Sequence, residues 1–255
     1  MSTDDTRDAI MLATYEALCE EGYSDLTAQS IADRTDRSKS ALFYHYDSRE
    51  DLVADFIEYL IEGFDARVEQ TREQPPLERL AAFVDWFLAD PDDDDLAFHT
   101  AFLELRAQAP YNDVYREKLR ESDDILRTAV EDILRDGIDT GVFRMHDPES
   151  VSALLLASFD GARIRKFTLG RDEYLETVRA EIVDRVLADV LAADVEFPDE
   201  ASFEFPRDDR LVDESETTDA AGDDETSDAV DGDGTTDAES DTETEASNAE
   251  GDPTE

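Results

Sequence analysis

Apolar residues recur at helical spacing from Asp4 to about Ala193, interrupted by short polar stretches. Ile10, Ala13, Ala17 and Leu18 share one face of a first helix, which Gly22 stops. Thr27 stands where it caps a short second helix that turns Ile31 and Ala32 inward. A tight turn at Thr35 to Arg37 leads to Ser38, the cap of a third helix through Ala41, Leu42 and Tyr46. Ser48 caps a long fourth helix whose inner face carries Leu52, Val53, Phe56, Tyr59 and Leu60. Short helices joined by a tight turn, all within residues 1–50, form a small DNA-reading unit on pattern alone.

Longer amphipathic helices follow. Pro75-Pro76 breaks the chain before a helix with Leu80, Val84, Phe87 and Leu88 in line, and Pro91 to Asp95 opens the next, Leu96 to Ala107. Val114 to Ile138 keeps Ile125, Leu126, Ala129, Val130, Ile133 and Leu134 in register, and Gly137 and Gly141 punctuate the turn before Phe143. Val151, Leu154, Leu155, Ser158, Phe159 and Ala162 fit an apolar helical stripe. A last helix from Asp172 carries Leu175, Val178, Ile182, Val186, Val190 and Leu191. Nothing reads as a paired strand, and the aromatic, extended stretch Val195 to Phe205 is expected to lie against the bundle. The pattern predicts an all-α chain of about nine helices. Its expected divisions are an N-terminal helix-turn-helix domain (1–50), a C-terminal helical bundle (51–206) and a tail (207–255).

Charge changes this picture in two places. The chain has 23 Lys and Arg against 69 Asp and Glu, a net −46, and only three of the bases are Lys (Lys39, Lys118, Lys166). From Leu211 to Glu255 there are 18 acids and no base, with almost nothing apolar, which predicts a segment that does not pack. The remaining excess, −28, is spread over well-patterned helices. That is the style of a halophilic protein working in molar salt, where a Debye length of about 3 Å screens self-repulsion. No apolar run reaches the roughly 18 residues of a spanning helix, so a cytoplasmic chain without a membrane partner is expected. A single cysteine, Cys19, excludes an internal disulfide framework. His99 and His146 lack metal-ligand spacing, so no metal and no cofactor are expected.

Against this acidity, Thr27 to Arg49 holds four bases and three acids, the least acidic stretch of the N-terminal region. Its residues, Leu26-Thr27-Ala28-Gln29-Ser30-Ile31-Ala32, then Ser38-Lys39-Ser40-Ala41-Leu42-Phe43-Tyr44-His45-Tyr46 and Ser48-Arg49-Glu50-Asp51-Leu52, resemble the TetR family of transcriptional regulators. More weakly, Asp136 to Phe143, Asp147-Pro148-Glu149 and Phe159-Asp160-Gly161 are similar to the C-terminal domain of its BetI-like branch. About residues 5 to 195 are covered by the resemblance and the tail is not.

Residue chemistry agrees with the DNA-binding role that this resemblance implies. Thr27 and Ser38 stand at helix N-termini, where free amides and the helix dipole favour a phosphate. Lys39, Tyr44, His45 and Arg49 supply donors along the same edge, as family members use them to hold the DNA backbone. Gln29 suits bidentate pairing with adenine, while Ser40, Ala41 and Phe43 suit base edges and thymine methyls. The family's turn normally carries a small and then an aliphatic residue; here Asp36 tolerates a left-handed backbone and Arg37 is expected to reach a phosphate.

The resemblance implies a homodimeric repressor of double-stranded operator DNA, released by a small-molecule effector. The expected dimer face is Val151, Leu155, Ala157, Ser158 and Gly161 with Val178, Ile182 and Val186. The expected effector pocket, for a hydrophobic or aromatic ligand, is Phe83, Trp86, Phe87, His99, Phe102, Arg106, Tyr115 and Phe159. Its basis is that neighbouring aromatics such as Trp86-Phe87 cannot both be packed core. A helical adaptor without DNA binding is the alternative reading. An enzyme is not expected, because no activated nucleophile, histidine cluster or phosphate loop is present. Removal of residues 211–255 is expected to leave folding and dimerisation intact in molar salt, and to raise DNA affinity at low salt by deleting 18 negative charges. Thermal melts and shift assays across KCl concentrations check both effects; loss of folding in high salt would make the tail structural.

Overall fold

The computed structural model describes residues 3–35, 42, 44–91 and 93–211, and the statements below concern those residues. Helix α1 spans Thr3–Asp25 and α2 spans Ala28–Asp33. Leu42, Tyr44 and His45 are helical, and α3 then runs unbroken over Arg49–Gln70. The bundle adds α4 (Pro76–Leu88), α5 (Asp93–Arg106), α6 (Asp113–Thr140) and α7 (Pro148–Leu169). Helix α8, Tyr174–Ile182, continues through a π turn, Val183–Leu187, into a last turn Ala188–Val190.

Helix starts follow their caps. Thr27 and Ser30 form a reciprocal capping box on α2, Ser48 accepts the Asp51 amide at 3.0 Å on α3, and Asn112 and Asp147 cap α6 and α7. Gly22 interrupts α1 as expected: at φ 75° and ψ 170° it is not helical, a kink that a side chain would strain, and the chain is helical again up to Asp25. The one strand-like feature among the described residues is an isolated antiparallel bridge between Phe143 and Leu191.

Two hydrophobic cores result. The first joins α1, α2 and the N-terminal part of α3 to α5 and the start of α6, through Ile10, Leu18, Ile31, Leu42, Phe56, Leu105 and Tyr115. The second fills the bundle with Phe64, Phe83, Phe87, Val130, Leu134, Leu155, Phe159, Ile182 and Leu191. Helix α3 contributes to both, Phe56 to one and Phe64 to the other. Few bases are available, and many tie elements together. Arg7 holds Asp55 and Glu62 at 2.8 Å, Lys118 holds Glu58 at 3.0 Å, and Arg179 holds Asp85 at 2.7 Å. Arg79 is buried on α4 and donates to Asp136 on α6 at 2.7 Å. Breaking such a pair leaves a buried cation without a partner, the costly outcome.

Beyond Val190 the chain becomes a strap, as the aromatic pattern of 195–205 predicts. Asp85 accepts the Ala201 amide at 3.0 Å and Glu78 the Ser202 amide at 2.8 Å. Hydrogen bonding from Ser202 holds the Glu78 carboxyl below its usual range. Phe205 enters the second core, whereas Arg210 and Leu211 reach the first. Composition places 207–211 in the tail, but the structure seats Asp208, Arg210 and Leu211 against the folded body. Gly63 makes room for this seat: a Cβ there would overlap the Arg210 and Asp208 side chains. A mid-helix glycine costs about 1 kcal/mol relative to alanine, so its presence in α3 is explained by the strap that lies over it.

His99 on α5 stacks on Phe167 of α7 at 5.1 Å, and its Nε2 faces the Arg163 guanidinium. Burial, with Arg163 adding repulsion, pulls its pKa down from 6.5 to about 3. Between those values the unfolded chain binds a proton that the folded one does not, so stability falls as pH drops from 6.5. In urea titrations, His99→Gln is expected to flatten this loss in the upper part of that range, before the carboxylates titrate, by on the order of 1 kcal/mol. An unchanged slope would mean His99 takes up its proton while folded.

Candidate nucleic-acid interface

The N-terminal head is built so that its apolar residues close inward and its polar edge stays open. Leu42 is buried with Ile31 and Leu52, while two positions later Tyr44 is 86 % exposed. Tyr44 and His45 meet edge to face at 5.4 Å, both on the surface. Thr27 is exposed at the N-terminus of α2. Gln29, on the same helix, is exposed and donates through Nε2 to Asp33 at 2.6 Å, so reading a base requires it to leave that bond. Arg37, Ser38, Lys39, Ser40, Ala41 and Phe43, together with Asp36, lie outside the described residues.

Arg49 has a second role that sequence reasoning missed. Its guanidinium lies over the Tyr23 ring at 4.9 Å, donates to the Leu26 carbonyl at 3.2 Å and reaches the Tyr23 hydroxyl at 3.4 Å. It therefore stitches the start of α3 to the α1–α2 connection. Tyr23 is held in turn by the body: its amide donates to Glu104 of α5 at 2.9 Å and its hydroxyl to Tyr115 of α6 at 3.4 Å. The Glu104 carboxylate would sit 3.1 Å from a Cβ on Gly22, so the kinked glycine also admits it. Tyr46 donates to Asp55 at 2.5 Å; burial and this bond push its pKa up. Where α2 and α3 meet, the crevice beside Ala28, Leu42 and Arg49 is only about 10 Å³, too small for a ligand.

The residues expected to line one effector pocket separate. Phe83, Trp86, Phe87 and Phe159 pack together in the second core, with Phe87 and Phe159 stacked at 5.2 Å. Phe102 and Tyr115 belong to the first core, and burial raises the Tyr115 pKa. His99 lies against Phe167, and Arg106 is paired with Asp160 at 3.1 Å on the surface. Trp86 and Phe87 are both packed after all, because Phe205 of the strap stacks on Trp86 from outside at 4.9 Å. An open cleft of about 290 Å³ exists elsewhere, beside Arg144, Val183, Leu191, Val195 and Phe197.

The expected dimer face is also redistributed. Leu155 and Ile182 are buried in the chain's own core, with Val151, Val178 and Val186 half-buried against it. The outward stripe of α7 is Leu154, Ala157, Ser158, Gly161 and Ile164, of which Leu154 is 51 % and Ile164 42 % exposed. One residue is 100° of helix, enough to exchange Leu155 for Leu154 on a face. Among the described residues no helix is long and apolar enough to cross a membrane, and no His, Cys, Asp and Glu cluster forms a metal site.

The sequence matches two family models: bacterial regulatory proteins of the tetR family over residues 10–56, and the BetI-type transcriptional repressor C-terminal region over 76–192. No functionally curated protein matches it. Among solved structures, a TetR transcription regulator from Haloarcula marismortui is 38% identical, with a TM-score of 0.67 over 73% of this chain and 99% of that one. A putative transcriptional regulator from Saccharomonospora viridis, solved in complex with choline, shares the fold at 21% identity and TM-score 0.63, over 74% of this chain and 100% of that one. The reduced form of E. coli NemR does so at 14% identity and TM-score 0.62, over 75% and 100%. Matched at both ends by these models and along nearly the whole Haloarcula regulator, the chain belongs to the TetR family of DNA-binding transcriptional regulators, with a BetI-type C-terminal region.

Proposed function

We propose that the protein is a cytoplasmic homodimeric repressor that leaves its operator when a small hydrophobic ligand enters the C-terminal bundle. The exposed Tyr44-His45 pair carries the reading. Tyr111 is as exposed as Tyr44, so exposure alone does not select this edge; what supports it is that Tyr44 and His45 are exposed together within the least acidic stretch of the N-terminal region. In this reading Thr27, Ser38, Lys39, Tyr44, His45 and Arg37 hold phosphates, and Gln29, Ser40, Ala41 and Phe43 face bases. Arg49 contributes mainly by fixing α3 against Tyr23.

The outward stripe of α7 supports dimerisation, since small residues at Ala157, Ser158 and Gly161 let a second helix approach while Leu154 and Ile164 supply apolar area. Two heads joined this way bind half-sites about one DNA turn apart, roughly 34–36 Å. A ligand acts as inducer only by binding the DNA-incompetent arrangement more tightly.

Shift assays on the DNA upstream of its own gene, at high KCl, test the DNA edge. Lys39→Ala and Tyr44→Ala are expected to weaken binding without unfolding the protein, and Gln29→Ala to relax preference at one base pair by about 1–3 kcal/mol. Parent-like binding by the first two variants would place the edge elsewhere. For assembly, Leu154→Glu is expected to convert a dimer to monomer in light scattering at molar salt; a parent protein already monomeric there would refute the α7 face.

A further inference from the structure

The strap occupies a position that the rest of the body has shaped for a flat ring. Phe205 stacks on Trp86 at 4.9 Å and 27° and on Phe64 at 5.9 Å and 26°, and meets the Phe83 edge at 6.0 Å. Arg67 of α3 lies over all three near-parallel rings, 5.4 to 5.8 Å from their centres. Its other contacts are carbonyls, Gly63 at 3.3 Å and Pro206 at 3.5 Å, and no carboxylate bridges it among the described residues. Burial, with repulsion from Arg210, lowers its pKa, and the Asp208 carboxylate offsets part of that from beyond bridging distance. A guanidinium so placed suits a bidentate carboxylate above a stacked ring.

The far end of the same strap grips the DNA-binding side. Arg210 lies 3.9 Å over the Tyr59 ring, donates to the Tyr59 carbonyl at 2.8 Å, and Leu211 packs into the first core. The strap also falls beyond residue 192, where the C-terminal family match ends. Gly63 is the residue in α3 that accommodates it.

We propose that the strap is the internal occupant of a ligand slot: Phe205 holds the place between Phe64, Phe83 and Trp86, beneath Arg67, that a planar aromatic carboxylate takes in exchange, and the exchange frees Arg210 and Leu211 from the head. The ring supplies the stacking that Phe205 gives up, and the carboxylate supplies a direct ion pair to Arg67, on which Asp208 acts only from a distance. Because the strap is tethered, it competes at high effective concentration, so the ligand binds the parent more weakly than it binds a chain without the plug. The proposal rests on the ligand-responsive reading above only for its consequence at DNA.

The test uses the full chain in molar KCl with 2-naphthoate as probe, by calorimetry and amide exchange. The parent is expected to bind it and to exchange faster across 203–211 when saturated. Phe205→Ala is expected to bind at least about tenfold tighter, and Arg67→Met about tenfold weaker while its affinity for uncharged 2-naphthalenemethanol is unchanged. Phe205→Leu, which retains an apolar filler, is the second plug variant if circular dichroism shows Phe205→Ala unfolded. Absence of naphthoate binding, binding without faster exchange across 203–211, or a plug variant no tighter than the parent would overturn the proposal. Exchange is read without DNA, so the two readings fail separately. Strap release that leaves operator binding intact sinks ligand-controlled repression but upholds the slot. Operator release by another compound with the strap still protected does the reverse.

Discussion

The unbroken helix α3, Arg49–Gln70, is the constraint on which the rest of the molecule depends. Its first turn is capped by Ser48 at the edge of the head, and Leu52 to Ile57 close the first core. Its last turns present Phe64 and Arg67 to the second core and to the strap. A continuous hydrogen-bonded helix does not bend without losing backbone bonds, so a shift of its C-terminal half is felt at its N-terminal cap. The other links between head and body reinforce that rod. Glu104 and Tyr115 hold Tyr23, Tyr23 holds Arg49, and Arg7 binds Asp55 and Glu62, about two turns apart on α3.

Scarcity of cations shapes the surface as strongly as apolar burial shapes the interior. With 23 bases for 69 acids, a base is valuable where it joins two elements. Arg7, Arg79, Lys118 and Arg179 all do so. Exposed ion pairs contribute little in concentrated salt, but partly buried ones are screened less and fix geometry. Many of the remaining acids lie on exposed helix faces. DNA binding by such a chain needs a local relief of charge, and Thr27 to Arg49 is where the sequence provides it.

Aromatic residues mark the places where chain-distant elements meet. Phe64 of α3, Phe83, Trp86 and Phe87 of α4, Phe159 of α7 and Phe205 of the strap form one continuous set of ring contacts. Large flat side chains bring area and preferred geometry together, so a few of them position four elements at once. This set turns residues that look like pocket lining in a helix-by-helix view into a packed layer.

The sequence by itself determined the all-helical pattern, the caps at Thr27 and Ser48, and the family, because capping and periodicity act within a few residues. It also marked the exposed members of the candidate DNA edge, Thr27, Gln29, Tyr44 and His45, since those positions are polar or aromatic on a face with no core to fill. Only the tertiary structure decided that Leu154 rather than Leu155 faces outward, that Arg49 serves Tyr23, and that Trp86 is covered by Phe205. Each of these depends on which element lies against a helix from elsewhere in the chain. A rotation of one residue, or a strap arriving from more than a hundred positions away, changes the outcome without changing any local pattern.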